Sequence, residues 1–324
     1  MKTVNFKFDW PLVGNAHIIE FLEKGILNDK VNGAYIFNGP NDLGKTTLAN
    51  YFAECLLYYK CQEEKKATSL GLHGDFHLIK KEEDKKNISI SQIRELINKL
   101  SVSSFSGGAK IAIIKDAESM NTEAANALLK TLEEPRKNVV IILLSNDQDS
   151  LLPTIVSRCQ VLNFRPVRQE IIYDFLISKD ASRAEAKRYS EMCLGRPALA
   201  LKFLEDESFR DDYEKIINTF LSFPRVGLNE RFSMIEDLVG KKSAGQATVD
   251  IAGKVLEIWL AAARVAFLSK FNYNLSENNA TESAFRKASA RDLLCLIKEI
   301  VKGKEYLNAN VNPRLALENI AITF

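Results

Sequence analysis

The chain has 324 residues, and its 46% hydrophobic content is that of an ordinary globular protein. Lys and Arg number 44 against 42 Asp and Glu, which leaves a net charge of +2. This balance excludes a protein that binds nucleic acid through its overall charge, so any such contact must be local or shared with partner chains. Because the chain is about twice a typical domain length, we expect two or three domains.

The cysteines and the apolar runs indicate where the protein resides. Five cysteines, an odd number, are scattered along the chain, and no apolar signal segment opens it. The longest apolar runs, such as residues 139–144, are far shorter than the roughly 20 residues that cross a bilayer. The sequence therefore predicts a cytoplasmic protein without a membrane span.

A strand, a glycine-bearing loop and a helix follow one another early in the chain. Residues 34–37 form an apolar run that leads directly into Asn38-Gly39-Pro40, and residues 46–57 have a helical pattern. Further along, apolar runs at 110–115 and 139–144 flank a helical stretch at 122–133. Continuous apolar runs separated by helices are typical of buried parallel strands, so we predict an α/β core with a parallel sheet.

The pattern changes at residues 163–166, where Pro166 ends the preceding element. After this point the sequence indicates helices only. We therefore predict three domains: an α/β domain over residues 1–166, a small helical lid over 167–206 and a helical collar over 207–324.

Residues 39–46, Gly-Pro-Asn-Asp-Leu-Gly-Lys-Thr, match the phosphate-binding pattern G-x-x-x-x-G-K-[ST] at every fixed position, and they lie between the predicted strand and helix. Gly39 and Gly44 let backbone N–H groups close around phosphate oxygens, Lys45 reaches the terminal phosphates, and Thr46 would ligate Mg²⁺. Thr47 is a further candidate contact to the nucleotide. The alternative is a glycine turn that serves packing alone.

Several segments resemble those of bacterial sliding-clamp loader subunits of the AAA+ family, in the same order. The most specific is Asn-Ala-Leu-Leu-Lys-Thr-Leu-Glu-Glu-Pro at 126–135, followed by the segment 152–160, which contains Ser157-Arg158-Cys159. The remaining similar segments are Trp-Pro-Leu-Val-Gly at 10–14, residues 88–96 and residues 312–319. The resemblance thus extends from about residue 10 to 319.

The resemblance implies a pentameric ring that opens a sliding clamp and places it on primer-template DNA. It implies the gamma/tau and delta subunits as partners and ATP with Mg²⁺ as a possible ligand. In such a ring one class of subunit hydrolyses ATP, whereas the delta-prime class mainly holds the stator position. The length of 324 residues leaves no room for the long extra tail of some motor subunits.

The acidic motif after the second core strand favours the delta-prime class. Motor subunits have Asp-Glu there, which coordinates Mg²⁺ and orients water. Counting back from Asn126, this chain has Lys115 and Asp116 at those positions. A lysine repels Mg²⁺, and an aspartate is one methylene shorter than a glutamate, so we expect weak or absent ATPase activity. Glu118 could serve if the strand register slips; the alternative for Asp116 and Glu118 is a solvated start of a helix.

Three more residues are site candidates through the resemblance. Arg158 is similar to an arginine finger that acts in trans on a neighbour's nucleotide, although it could instead form a salt bridge at the end of a helix. Arg196, just before Pro197, matches a second sensor arginine or is a plain helix-start residue. Asn146, with Ser145, occupies the first-sensor position, which an ordinary strand end would also fill.

Zinc is not expected. Many relatives carry a four-cysteine zinc module after the phosphate-loop helix, but this chain has only Cys55 and Cys61 in that window. His73 and His77 could complete a ligand set, whereas Cys55 is expected to pack on the helix.

Two other functions compete with the stator assignment. A free-standing P-loop kinase would act as a monomer, and the 157–159 segment and the helical final third argue against it. An ATP-hydrolysing motor subunit of the same loader is a closer alternative, against which Lys115 discriminates.

Overall fold

The computed structural model describes residues 8–59, 70–82, 85, 87–104, 108–240, 246–271, 280–309 and 311–324. The chain divides into two compact units, Met1–Val167 and Arg168–Phe324. The division follows the proline that the sequence marks as a boundary, because Pro166 ends the extended segment after the last strand.

The first unit alternates helices and strands. In chain order its elements are α1 (Ala16–Leu27), β1 (Ala34–Asn38), α2 (Lys45–Tyr59), β2 (Phe76–Ile79), α3 (Ile90–Ser101), β3 (Lys110–Ile114), α4 (Thr122–Glu133), β4 (Val139–Ser145), α5 (Pro153–Val156) and β5 (Gln160–Asn163). The five strands pair in parallel in the order β2-β3-β4-β1-β5. The predicted α/β core with a parallel sheet is confirmed.

Both faces of this sheet are covered, which is why its central strands are continuously apolar. On β1 the side chains alternate: Tyr35 and Phe37 pack with α1 and α2 on one face, whereas Ala34 and Ile36 pack with α3 and α4 on the other. Every residue of β3 and β4 is buried. The sheet is therefore the rigid base on which the loops at its carboxyl end are held.

Charged and polar groups lie at the opposite, amino-terminal end of β2 and β3. Lys110 and Asp75 are almost fully buried, with Nζ 3.9 Å from Oδ1, and Lys110 also donates to the carbonyl of Lys99 at 2.7 Å. His77 on β2 has a shielded Nε2 for which no hydrogen-bond partner exists among the described residues. Burial, followed by the nearby charges of Lys110 and Lys99, lowers the pKa of His77.

The second unit consists of helices wherever the structure describes it. They are α6 (Gln169–Ile177), α7 (Arg183–Met192), α8 (Pro197–Glu205), α9 (Glu207–Ser222), α10 (Leu228–Val239), α11 (Gln246–Ser269), α12 (Ala280–Ala284), α13 (Ala290–Asn308) and α14 (Pro313–Ala321). An aromatic cluster forms part of the core, in which Trp259 stacks on Phe220 at 5.4 Å and meets Phe223 edge-on at 5.2 Å. The finer division into lid and collar stays a prediction.

Helix α8 packs directly on α9 within this unit. The rings of Phe203 and Tyr213 approach to 4.9 Å across the predicted lid–collar boundary. Of the helices the structure describes, none combines the length and apolarity needed to cross a membrane.

Candidate nucleotide site

The phosphate-binding loop, residues 39–46, joins β1 to α2 at the carboxyl edge of the sheet. Gly39 has a φ of 142°, and a Cβ there would lie 2.6 Å from the carbonyl oxygen of Phe164. Gly44 has a φ of 86°, and its Cβ would lie 2.8 Å from Leu12 Cδ1. Both positions therefore require glycine for conformation and for space.

Lys45 is buried within this loop. Its Nζ donates to the carbonyl of Gly39, to the carbonyl of Pro40 at 2.8 Å and to Asn146 Oδ1 at 3.0 Å. The loop thus holds the Lys45 ammonium group at the carboxyl ends of β1 and β4. Thr46 is half-buried and Thr47 exposed in the first turn of α2, whose positive dipole end faces the loop.

The structure brings Asn146 to Lys45 because their strands are neighbours. Asn38, the last residue of β1, is in register with Ser145, the last residue of β4, and with Asn163 of β5. Ser145 instead closes a local turn, since its Oγ donates to the carbonyl of Asp147 at 2.9 Å and accepts from the Asp147 amide at 3.2 Å. Of the two first-sensor candidates, Asn146 is therefore the one whose side chain contacts the phosphate-loop lysine.

The acidic positions after β3 differ in their surroundings. Strand β3 ends at Ile114, Lys115 is half-buried, and Asp116 is exposed with a φ of 50°. Glu118, in contrast, is half-buried, and its Oε1 accepts from the Asn146 amide at 3.2 Å. Glu118 Oε2 is shielded from solvent and has no hydrogen-bond partner among the described residues.

The solvated interpretation is therefore wrong for Glu118, although it holds for Asp116. A short turn, Ala117–Ser119, returns the chain toward the sheet and carries Glu118 back to the strand ends. The result is a hydrogen-bonded path from Lys45 through Asn146 to Glu118. The Glu118 carboxylate is therefore the one that the geometry places beside Asn146.

A family model described as DNA polymerase III, delta subunit, matches residues 14–168. The DNA polymerase III subunit delta' of Bacillus subtilis is 31% identical over 211 residues, which are 63% of each chain. The subunit delta' of Pseudomonas aeruginosa is 40% identical over 134 residues, which are 39% of this chain and 41% of that one. Over these residues the chain is similar to the DNA polymerase III subunit delta'.

The matches to this family cover less than two thirds of the relatives' own length, namely 63% and 41%. The tau subunit of Bacillus subtilis is similar too, with 30% identity over 168 residues, 50% of this chain and 30% of that one. The family-model match, residues 14–168, coincides with the α/β unit that carries the phosphate loop.

Arg158, the candidate arginine finger, lies two residues after the end of α5. Its Nε donates to Glu133 Oε1 at 2.7 Å, and Nη2 contacts the same oxygen. Nη1 donates to the carbonyl of Thr154 at 2.8 Å and to Ser157 Oγ at 3.1 Å. The salt bridge that the sequence left open as an alternative is thus present, and it joins the end of α4 to the segment after α5.

Cys159, the residue after the candidate finger, is a partly buried free cysteine. Burial raises the pKa of its thiol to about 12. Cys159 packs against the core cluster on the α3 and α4 face of the sheet.

Arg196 lies in the second unit, at the N-cap of α8 with Pro197 at the first helical position, as predicted. It is buried, and its guanidinium donates from Nη2 to the Tyr213 hydroxyl at 2.7 Å and from Nε to the Cys193 carbonyl at 3.2 Å. These contacts hold its side chain between the end of α7 and α9.

The segment at 10–14 packs on the phosphate loop, since Leu12 is the neighbour that a side chain at Gly44 would strike. Trp10 stacks on Phe8 at 5.6 Å, meets Tyr51 edge-on at 5.2 Å and donates from Nε1 to Glu23 at 2.9 Å. The segment that carries Leu12 is thus anchored on α1 and α2 through Trp10.

The residues considered for zinc do not form a ligand set in the described part of the chain. Cys55 is buried on α2, as expected, His73 accepts from the Asp75 amide at 3.2 Å, and His77 lies on β2. No metal-binding group of His, Cys, Asp or Glu occurs among the residues the structure describes. Cys61 lies outside them, so the expectation that zinc is absent stays a prediction.

One contact was not foreseen from the sequence, namely that of Glu133 with Arg158. The two residues are 25 positions apart, and they belong to two different family segments. The sequence feature that could have indicated this contact is Glu133 itself, an acidic residue at the carboxyl end of a helix, where the helix dipole disfavours it.

Proposed function

We propose that this chain acts in DNA replication as the stator, delta-prime subunit of a DNA polymerase III clamp loader. Its partners would be the gamma/tau and delta subunits, with the sliding clamp and primer-template DNA engaged through the assembled ring. The observation that carries the proposal is the family-model match over residues 14–168, which include the phosphate loop, together with the similarity to subunits delta' at 31% and 40% identity.

The surroundings of the nucleotide site support little hydrolysis by this chain itself. Lys115 stands where a motor subunit needs a carboxylate for Mg²⁺, and Asp116 is exposed on a left-handed turn. A positive side chain at that position raises the energy of a bound divalent cation. ATP with Mg²⁺ at Lys45 and Thr46 would thus be a bound ligand rather than a substrate turned over rapidly.

Arg158 is the residue through which the stator would take part in catalysis. Its side chain retains 31% exposure, so it can be reached from outside the chain. An arginine supplied in trans stabilises the charge that develops on the transferred phosphoryl group. We therefore assign Arg158 to the nucleotide of a neighbouring motor subunit.

The test is ATP turnover by reconstituted loaders, stimulated by clamp and primed DNA, with either Arg158→Ala or Lys45→Ala in this subunit. We expect Arg158→Ala to lower turnover by about 10³-fold at the neighbouring site, whereas Lys45→Ala changes only binding in this chain. Equal and near-complete loss for both variants would contradict the stator role. An unchanged rate with Arg158→Ala would show that this chain faces no neighbour's nucleotide.

A second candidate, an ATP-hydrolysing motor subunit, is favoured by the position of Glu118. Its carboxylate meets the Asn146 amide at 3.2 Å and could orient water beside Lys45. Under this alternative the isolated chain should hydrolyse ATP, and Glu118→Gln should reduce that rate by about 10²-fold or more. Asp116→Asn, at the exposed neighbour, is the matched control. We expect instead that isolated wild-type and variant chains share the same low rate.

A further inference from the structure

The guanidinium of Arg158 is held on all three nitrogens within its own chain. Nε and Nη2 both face Glu133 Oε1, and Nη1 lies between the Thr154 carbonyl and Ser157 Oγ. An arginine side chain that is exposed and unrestrained samples many rotamers, and its ordering must accompany each productive contact. These bonds instead select one direction for the fork before any ligand arrives.

The position of Glu133 is itself fixed by the fold. Glu133 is the last residue of α4, and Pro135 two residues later closes on the start of β1, where a side chain at Gly33 would lie 2.4 Å from Pro135 Cγ. Strand β1 is the strand that carries the phosphate loop. The sheet thus sets where the Glu133 carboxylate, and with it the Arg158 fork, is placed.

Stability alone gives no reason for an acid at this point. Carboxylates at the carboxyl end of a helix are disfavoured by the helix dipole, and α4 ends on two of them, Glu133 and Glu134. The Glu133 side chain is 47% exposed, and exposed ion pairs contribute little to folding. Of the two acids, Glu133 is the one whose contacts include Arg158, so the contact with the candidate finger distinguishes it.

We propose that Glu133 is a positioning residue for catalysis in trans: it holds the Arg158 fork in the orientation from which it contacts a neighbouring subunit's phosphate. The inference rests on the proposed function of Arg158. Because the ion pair is exposed, exchanging the carboxylate for a phosphate at one edge of the fork is inexpensive, while Thr154 and Ser157 keep the opposite edge in place.

The experiment measures kcat and KM for ATP in complete reconstituted loaders that carry Glu133→Ala, Glu133→Gln, Glu134→Gln or Arg158→Ala in this subunit. We expect Glu133→Ala to lower kcat about fivefold, equivalent to ~1 kcal/mol, with KM for ATP unchanged. Glu133→Gln retains a neutral acceptor oxygen and should lose about half as much on the free-energy scale, roughly twofold. Glu134→Gln, which changes the same helix end without touching Arg158, should match the wild type.

Folding and assembly are checked separately by the thermal midpoint and by elution of the complex, and both should be unchanged because Ala is favourable in a helix and removes an acid from the negative dipole end. An unchanged or raised kcat with Glu133→Ala, beside a large loss with Arg158→Ala, would overturn the positioning role and leave the finger assignment intact. If Arg158→Ala had no effect, the proposed function and this inference would both fall.

Discussion

At the scale of single residues, the phosphate loop combines chemistry and steric constraint at the same positions. Gly39 is the clearest case, since its φ is positive and a Cβ at this position would lie 2.6 Å from the carbonyl oxygen of Phe164. A residue with a side chain would both strain the backbone and push β5 away from β1. A substitution at Gly39 would therefore disturb both the phosphate loop and the pairing of β1 with β5.

We predict that Gly39→Ala lowers the free energy of unfolding by about 2 kcal/mol or more and abolishes nucleotide binding. Gly253→Ala is the matched control: Gly253 lies inside α11, and nothing stands within 4 Å of its added methyl group. That change should stabilise the protein by about 0.5–1 kcal/mol. Urea denaturation measures both, and a neutral Gly39→Ala would show that the loop can relax around a side chain.

The residues of the site fall into two groups by how far the sequence predicts them. Lys45 and Asn146 could be predicted, because a motif fixes the first and the end of an apolar strand marks the second. The contacts of Glu118 and Glu133 could not, since their hydrogen-bond partners are 28 and 25 positions away along the chain. Which side chains meet across strand ends depends on turn geometry that periodicity does not encode.

At the scale of elements, central and edge strands differ in what the sequence reveals. Strands β3 and β4 were predictable because both faces are covered and every residue is apolar or buried. Strands β2 and β5 have four residues each, of which only one is fully buried, so they give no continuous apolar run. Their place in the sheet is decided by pairing with a neighbour rather than by their own pattern.

Edge strand β2 gives a prediction for pH. Burial lowers the pKa of His77 from its ordinary value of 6.5, so the folded state binds fewer protons than the unfolded state below that pH. The contribution to stability is present above pH 6.5 and is lost as the pH falls. We expect His77→Gln to flatten the decline of unfolding free energy between about pH 7 and 5, as measured by urea denaturation. Identical slopes for variant and wild type would contradict this.

The helix caps give a second prediction at this scale. Ser89 begins α3 with a capping box, in which its Oγ accepts from the Gln92 amide and Gln92 Oε1 accepts from the Ser89 amide at 3.0 Å. Ser89→Ala should reduce the unfolding free energy by about 1 kcal/mol. Ser101→Ala, at the other end of the same helix, should stay within about 0.5 kcal/mol. A reversed order of the two would mean that α3 is held by packing alone.

At the scale of the whole molecule, the two units have separate cores and one tryptophan each. Trp10 packs against Tyr51 of α2 in the α/β unit, and Trp259 lies in the aromatic cluster of the helical unit. The change from strand-and-helix to helix-only patterning at Pro166 predicted this division, because composition and periodicity differ between the units. The boundary between lid and collar is less clear in the sequence, because the hydrophobic periodicity is helical on both sides of residue 206.

Single-tryptophan variants, Trp10→Phe and Trp259→Phe, allow each unit to be followed by fluorescence. We expect Mg-ATP at about 100 times its dissociation constant to stabilise the unit reported by Trp10 by about 2.7 kcal/mol, with a much smaller shift in the Trp259 signal. Equal shifts of both signals would show that the units unfold as one. No shift of either would show that Lys45 no longer serves a nucleotide.

The hydrogen bond from the backbone amide of Asn146 to Glu118 has a spectroscopic consequence. Most amides at strand ends face a backbone carbonyl or water, whereas this proton faces a carboxylate whose other oxygen is shielded. Its NMR resonance and its rate of exchange with deuterium therefore depend on the position of one side chain. A ligand that draws Lys45 away from the Asn146 side chain, or Glu118 away from the Asn146 backbone amide, would change the signal of that nitrogen. One isotope label would therefore distinguish the states of the loop without an enzymatic assay.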